Sequence, residues 1–362
     1  MGSMETMKEQ QQRKEEERAL LHYPFAAPDA DASIVQVTDH VYWARMPMPL
    51  SLNHINVYLL EDDDGWYLVD TGLSTEDTRA LWKKIAEQHF GDKPVKGIIC
   101  THFHYDHAGL AGWLMEHFNA PLYMSHGEYF TMRTLASNRE NVGTDLQKGF
   151  YRKAGMPMET IDKMFHACRK DPFMKDYPPS FRRLREGDVI SIKGKGWRVV
   201  IGEGHSPEHV CLYNEADGLL IAGDQLLPEI SSNVLVHDIE PDANPLALWI
   251  ASLNRLLQLK ASTTVLPSHG PVFRNPHIRI NQLLQHHERQ CELIRSKAQI
   301  YQQFTAYDAL RWMFDRKLSP VEVMLAQGEA LAHLAWLRSN NDFKIETADD
   351  GVDRYSVSAL TA

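Results

Sequence analysis

Residues 101–107, THFHYDH, place three histidines and one aspartate directly after the apolar run 95–100. The short apolar run predicts a buried strand, and the apolar periodicity of residues 106–118 predicts a helix. The polar side chains between them therefore lie on a loop at the C-terminal end of a strand, where open α/β sheets usually bind ligands. This arrangement favours an α/β fold with its functional site at one edge of a sheet.

The spacing of these four residues suits two neighbouring metal ions. His102 and His104 are alternate residues of an extended segment, so both side chains can point to the same side. Asp106 and His107 fall at the start of the predicted helix and can face a second ion. Loop histidines without a metal are the alternative, but four ligand-type residues at this spacing arise by chance far less often than a single histidine pair.

Further candidate ligands come directly after other apolar segments. His205, Asp224 and His269 each follow a run that predicts a strand, and each stands beside glycine or serine. Because strand ends of one sandwich meet at one edge, these side chains are expected to join the residues of 101–107 there.

The order of the predicted elements indicates the architecture. Strand-rich segments alternate with strand–helix segments, in the order β-rich, α/β, β-rich, α/β. This order predicts an α/β (α+β) fold in which two similar halves face each other as a four-layered αββα sandwich. Residues 21–279 are assigned to this domain.

Three other regions have their own character. Residues 1–20 predict an expression remnant followed by a disordered or surface-helical terminus, because almost all of them are polar. Residues 126–178 predict a helical insertion rich in methionine, which is either a lid over an apolar substrate or part of the core. Residues 280–362 predict helices followed by a hairpin, an order that resembles a winged-helix subdomain.

Short motifs occur along the chain in the order VDTG (69–72), THFHYDH (101–107), GHSPEH (204–209), AGD (222–224) and PSHG (267–270). In type and order they resemble the motifs of the metallo-β-lactamase-fold hydrolases over residues 35–275. The remaining tail resembles the branch that contains glyoxalase II-like proteins and the beta-lactamase-like protein 2 endoribonucleases.

The resemblance implies a dinuclear site in which each ion has three ligands of its own and one aspartate bridges both. The first ion is assigned to His102, His104 and His205, the second to Asp106, His107 and His269, and the bridge to Asp224. Asp70 resembles the family's carboxylate that orients metal ligands, with a turn-forming residue as the alternative. His209 resembles a histidine that stays off the metal, in a structural or supporting role.

The expected cofactors are two divalent ions. Zinc comes first because histidine ligands and hydrolysis suit it, and iron or manganese is also compatible. A hydroxide that bridges the ions would cleave a thioester, or a related acyl ester or lactone. Asp106 is the expected catalytic residue because it can orient the water and move its proton. Asn53, His54 and Tyr105 are expected to contact the substrate, with loop packing as the alternative for each.

Two alternative functions remain open: a metal-dependent endoribonuclease or phosphodiesterase, and a non-catalytic metal-binding regulatory protein. The net charge of −10 disfavours nucleic acid and leaves a small-molecule acyl substrate as the expected partner. Glu208 and Leu110 depart from the hydroxyacylglutathione hydrolase pattern, which weighs against glutathione thioesters. The ligand set lacks cysteine, which weighs against β-lactams.

Localisation and assembly follow from weaker signals. The apolar runs are too short for a membrane span, and the start of the chain has no apolar segment typical of secretion. The four cysteines are scattered without a CxxC pair, which favours a reducing compartment. A cytoplasmic protein is therefore expected, and a homodimer is the expected assembly if it follows related folds.

Overall fold

A computed structural model of the protein describes residues 7–49, 52–137, 142–168 and 177–358. Parts of the predicted termini and of the predicted insertion lie outside these ranges. The helices of the described residues, in chain order, are α1 (Met7–Ala19), α2 (Glu76–Ile85), α3 (Tyr105–Ala108), α4 (Ala111–Phe118), α5 (His126–Ser137), α6 (Asp145–Lys153), α7 (Met158–Cys168), α8 (Pro245–Leu256), α9 (Pro276–Tyr301), α10 (Ala306–Met313) and α11 (Pro320–Ser339).

The strands form two large sheets and one small sheet. In chain order they are β1 (Val35–Gln36), β2 (Val41–Pro47), β3 (His54–Glu61), β4 (Trp66–Val69), β5 (Val95–Ile99), β6 (Leu122–Met124), β7 (Arg182–Arg183), β8 (Val189–Ile192), β9 (Lys195–Gly202), β10 (His209–Asn214), β11 (Leu219–Gly223), β12 (Thr264–Pro267), β13 (Phe273–Arg274), β14 (Gln303–Phe304), β15 (Phe343–Thr347) and β16 (Asp353–Val357).

The two large sheets have related topologies. The first has the order β1-β2-β3-β4-β5-β6-β7, and its pairing is antiparallel up to β4 and parallel from β4 onward. The second has the order β13-β12-β11-β10-β9-β8, with one parallel pair, β11 and β12. The predicted order of β-rich and α/β segments is thus confirmed in both halves.

Alternating side chains divide the core into layers. In β3, Tyr58 and Leu60 face the space between the sheets, whereas Val57 and Leu59 face the outer helices, as the period of two in a strand requires. Val57 and Leu59 pack with Trp82 of α2 on the outer face of the first sheet. The second sheet is covered in the same way by α8 and α9, so the four-layered αββα sandwich is confirmed.

The helix predicted over 106–118 is divided into α3 and α4. The division has a tertiary cause, because Thr71 Oγ1 donates to the carbonyl of His107 (2.8 Å) and accepts from the backbone N–H of Leu110 (3.0 Å). Gly109 lies in this break, and a Cβ atom there would collide with the Tyr105 carbonyl. The turn holds Asp106 and His107 in a short, separately oriented helix.

The predicted insertion is helical where the structure describes it, and residues 138–141 and 169–176 lie outside that part. Its helices α6 and α7 pack on the C-terminal region through a small apolar cluster that includes Ile161, Met164 and Val323. Its role as a lid stays a prediction.

The C-terminal region contains α10, α11 and a three-stranded sheet of order β14-β16-β15. Helices are thus followed by a hairpin, as expected for the predicted subdomain, and the proposed boundary near residue 280 falls in the first turns of α9. At the other end of the chain, the predicted surface helix is α1, whose Glu17 carbonyl accepts from Gln282 Nε2 (2.9 Å). Within the ranges described, no helix has both the length and the apolar character needed to cross a bilayer.

Candidate metal centre

One edge of the sandwich carries all the predicted ligands. The loop from β5 to α3 and the loops after β9, β11 and β12 converge there, as strand ends of facing sheets do. The ligand atoms fall into two groups, each within 4.8 Å. The first group is His102, His104, His205 and Asp224, and the second is Asp106, His107 and His269.

The first group is rich in nitrogen. His102 Nε2 lies 2.7 Å from His104 Nδ1 and 3.3 Å from His205 Nε2. Asp224 Oδ2 lies 3.4 Å from His205 Nε2. His102 is fully buried, so the surrounding residues fix the orientation of its ring.

The second group contains carboxylate oxygens. Asp106 Oδ2 lies 3.5 Å from His107 Nε2 and 3.3 Å from His269 Nε2. Asp224 Oδ1 lies 3.6 Å from His107 Nε2 and 3.5 Å from His269 Nε2. Asp224 therefore presents one oxygen to each group, which is the position that a bridging ligand needs.

The donor atoms of this centre fit metal ions. Ligand atoms at about 2.0–2.1 Å from one tetrahedral zinc ion lie about 3.3–3.4 Å apart, close to the separations in the second group. His107 Nε2 and Asp224 Oδ1 are buried and have no hydrogen-bond partner. Leaving such atoms unpaired costs about 1–3 kcal/mol each, and an ion bound between them would remove that cost.

Two histidines of the first group, His102 and His104, favour the neutral form. Burial lowers the pKa of His102 well below its usual value, and the neighbouring His107 and His104 lower it further. Burial lowers the pKa of His104 to about 3, with a contribution from His205. Neutral rings keep a nitrogen lone pair for a metal without losing a proton first.

The histidines of the second group hold protons more tightly. Burial disfavours the charged ring of His107, but the carboxylates of Asp106, Asp70 and Asp224 raise its pKa well above the usual value. Burial also opposes charge on His269, but Asp224 and Asp106 raise its pKa. A metal ion that binds in this group has to displace these protons.

Asp70 lies directly behind this second group. Its Oδ2 accepts from His107 Nδ1 (2.8 Å), and its Oδ1 accepts from the backbone N–H of Thr101 (2.8 Å). Its backbone is left-handed, with φ +62°, so it also turns the chain after β4. The carboxylate orients the ring of His107 and leaves Nε2 facing the centre.

His209 lies beside the first group. Its ring stacks on that of His102 with centroids 4.8 Å apart, and its Nε2 accepts from the backbone N–H of Asp224 (3.1 Å). Because Nε2 is occupied by this bond, His209 contributes no atom to either group. It fixes the chain at the shared aspartate.

The residues expected to contact substrate have different surroundings. His54 lies behind His269: its carbonyl accepts from His269 Nδ1 (2.9 Å), and its Nε2 accepts from the backbone N–H of Gly270 (3.1 Å). Burial, with smaller effects from Arg45 and His269, lowers the pKa of His54 to about 4. Asn53 Oδ1 accepts from His54 Nδ1 (2.7 Å). Tyr105, in α3, is 37 % exposed, and substrate contact stays a prediction for all of these residues.

Sequence reasoning missed two buried residues of this centre. Asn56 Nδ2 donates to the carbonyls of Pro267 and Gly270, each at 2.7 Å, and so holds the loop that carries His269. A polar residue inside the apolar run of β3 was the available signal. Glu128, in α5, has its carboxylate beside the loops of the first group, and no sequence pattern marks it.

The fold and this centre agree with known protein families. The model of the Metallo-beta-lactamase superfamily matches residues 50–269, and that of the Metallo-beta-lactamase-like, C-terminal domain matches residues 295–358. The chain therefore belongs to the metallo-beta-lactamase superfamily, and the predicted resemblance is confirmed.

Individual relatives cover most of the chain. A crystal structure of a beta-lactamase domain protein from Burkholderia ambifaria is 40 % identical, with a TM-score of 0.87, and covers 95 % of this chain and 100 % of its own. A probable metallo-hydrolase of Bacillus subtilis is 27 % identical, over 82 % of this chain and 92 % of its own. An acyl-coenzyme A thioesterase of Gallus gallus is 24 % identical, over 64 % of this chain and 78 % of its own.

Proposed function

We propose that the protein is a dinuclear metal-dependent hydrolase that cleaves a thioester or a related acyl ester or lactone. Membership of the superfamily supports a metallo-hydrolase without specifying its substrate. The observation that supports a dinuclear centre is the position of Asp224, whose two oxygens face two separate ligand groups at one edge of the sandwich. A shared carboxylate of this kind supports two ions close together.

The residues of the centre have separate tasks in this proposal. Two ions bound there would polarise a carbonyl oxygen and lower the pKa of water toward neutrality. Burial opposes ionisation of Asp106, but His107 and His269 lower its pKa to about 2. Asp106 is therefore ionised near neutral pH and can orient an attacking water through a charge-assisted hydrogen bond. Asp70 keeps His107 in the required tautomer by accepting from Nδ1.

Two facts support an acyl substrate. The Gallus gallus relative is named an acyl-coenzyme A thioesterase, and the net charge of −10 disfavours nucleic acid, the alternative substrate. In this proposal Tyr105, which follows His104 in the chain and is 37 % exposed, borders the acyl group.

The test combines metal analysis with a substrate screen. Protein purified without chelator is analysed for metal and offered acyl-coenzyme A and glutathione thioesters, lactones, phosphodiesters and RNA. We expect about two metal ions per chain and turnover of a thioester or lactone that is lost in His104→Ala. His117→Ala, a histidine of α4 stacked on Trp113, is the matched control and keeps activity.

The other outcomes contradict the proposal in distinct ways. Turnover of RNA or phosphodiesters without turnover of thioesters or lactones would contradict the acyl substrate and indicate a phosphodiesterase. Stoichiometric metal without any turnover would indicate a binding or regulatory protein. Protein that stays free of metal under metal-replete conditions would exclude the dinuclear centre.

A further inference from the structure

Glu128 joins the two loops that carry the histidines of the first group. The residue lies in the first turn of α5, and none of it is exposed. Its Oε2 accepts from the backbone N–H of Phe103 (3.0 Å), the residue between His102 and His104. Its Oε1 accepts from Ser206 Oγ and from the backbone N–H of Glu208, each at 2.7 Å. One carboxyl group therefore links the loop that carries His102 and His104 to the loop that carries His205.

Neighbouring bonds fix the position of Glu128 itself. Glu208 Oε2 accepts from the backbone N–H of Gly127 (2.8 Å), and Ser125 Oγ donates to the carbonyl of Glu208 (2.8 Å). A Cβ atom on Gly127 would lie 3.2 Å from Glu208 Cγ, so the two segments are in close contact. Residues 125 and 127 are thus hydrogen-bonded to Glu208, in the loop after His205, and these bonds restrict the position of Glu128.

We propose that Glu128 is a positioning residue that sets the geometry of His102, His104 and His205 and thereby the metal affinity of the first group. Three donors from the two ligand loops converge on the Glu128 carboxyl group, and substitution of residues that support metal ligands typically changes metal affinity by about 10–100-fold. The second group is held differently, by Asp70 behind His107 and by the His54 carbonyl behind His269. The inference rests on the metal centre of the proposed function and is independent of its substrate.

An isosteric substitution tests the hydrogen bonds without leaving a cavity. Glu128 accepts from three donors, and two of them are backbone N–H groups on different oxygens. In Glu128→Gln one of these oxygens becomes an NH₂ group, so a backbone N–H of Phe103 or Glu208 faces a donor in either orientation of the amide. Glu128→Gln is therefore expected to disturb the first group although its size is unchanged, and Glu128→Asp, which keeps both carboxyl oxygens, is expected to disturb it less.

Two variants that each retain only one intact ligand group serve as single-group backgrounds. They separate an effect of Glu128 on ligand position from an effect on overall stability. His269→Ala breaks the second group and leaves the first, whereas His104→Ala breaks the first and leaves the second. Metal-free proteins are titrated with Zn²⁺ in competition with a chelating dye. We expect Glu128→Gln to weaken binding about 10–100-fold in the His269→Ala background, and less than about 3-fold in the His104→Ala background, where the supported group is already broken.

Asp62→Asn is the matched control. Asp62 is also a buried carboxylate, and it accepts from the backbone N–H of Lys193 (2.8 Å) and from Lys96 Nζ (2.6 Å), at the turn between β3 and β4. It is expected to leave zinc affinity unchanged in both backgrounds.

Three results would overturn the inference. Equal losses in both backgrounds would show that Glu128 acts through overall stability, and no loss in either would show that it does not support the ligands; both leave the proposed function intact. Failure of the unsubstituted protein to bind zinc would overturn the inference and the proposed function together.

Discussion

The two ligand groups share one aspartate but differ in charge. In the first group, burial lowers the pKa of His102 well below its usual value and that of His104 to about 3, so both favour the neutral form. The second group adds Asp106, and carboxylates raise the pKa of His107 and His269 against the effect of burial. Metal binding to His107 and His269 is therefore coupled to proton release, whereas binding to His102 and His104 is not.

The groups also differ in how their ligands are held. In the first, His205 Nδ1 donates to the Asn233 carbonyl (2.7 Å), and a carboxylate on a helix joins the ligand loops. In the second, the Asp70 carboxylate accepts directly from His107, and the His54 carbonyl accepts from His269. A substitution outside the ligands should therefore act on one group more than on the other.

The largest effect is expected from the residue that both groups share. Asp224→Ala removes an oxygen from each group, so binding of both ions should weaken together. Activity should fall at least about 1,000-fold, because metal ions supply several kcal/mol of charge stabilisation to the reaction. Metal analysis and hydrolysis rates check this, with the exposed Asp92→Ala as the control. Loss of one ion alone would show that Asp224 belongs to a single group.

A smaller and one-sided effect is expected at Asp70. Asp70→Asn leaves one oxygen for both the Thr101 N–H and His107 Nδ1, so the ring of His107 loses its fixed orientation. Zinc affinity of the second group, measured in the His104→Ala background, should fall about 10–100-fold. The first group, measured in the His269→Ala background, should change less. A larger loss in the first group would contradict the assignment of Asp70 to the second.

The pH dependence should separate the groups by the smallest margin. The pKa of His107 and His269 is raised, so these rings are protonated in the metal-free protein up to a higher pH than an ordinary histidine. Zinc affinity of the second group should therefore fall by about tenfold per pH unit for each proton displaced as the pH is lowered through neutrality. The first group should respond less, because the pKa values of His102 and His104 are lowered and these two rings are charged only at acidic pH. Titrations at several pH values in the two single-group backgrounds measure both slopes, and parallel slopes would show that the groups do not differ in protonation.

Much of the fold was predictable because its signals are local. The apolar run before Thr101 specifies β5, and the alternation in β3 separates Tyr58 from Leu59 by the geometry of a strand. The ligand types in 101–107 are equally local. The positions of His205, Asp224 and His269 after predicted strands grouped them with 101–107, and the family resemblance divided the ligands between two ions. The structure places the ligand atoms together.

The helix at 106–118 shows where local signals fail. Its periodicity predicts one continuous helix, but Thr71 bonds to His107 and Leu110 and divides it. Thr71 is distant in sequence, so no window around the helix contains the cause. The apolar periodicity of residues 76–89 also predicts one helix, but α2 ends at Ile85 and the chain continues as a π-helical turn, Ala86–Phe90.

Residue patterns alone indicate the class of fold, the superfamily and the kinds of atom available for metal, because periodicity, short motifs and ligand type can be recognised without knowing which distant segments meet. The contacts of Glu128 with Phe103 and Ser206, and of Asn56 with Pro267, follow from the packing of the whole fold. These bonds join residues from 25 to 211 positions apart. They exist because the packed sheets bring the loops to one edge, and no local pattern records which distant polar groups meet there.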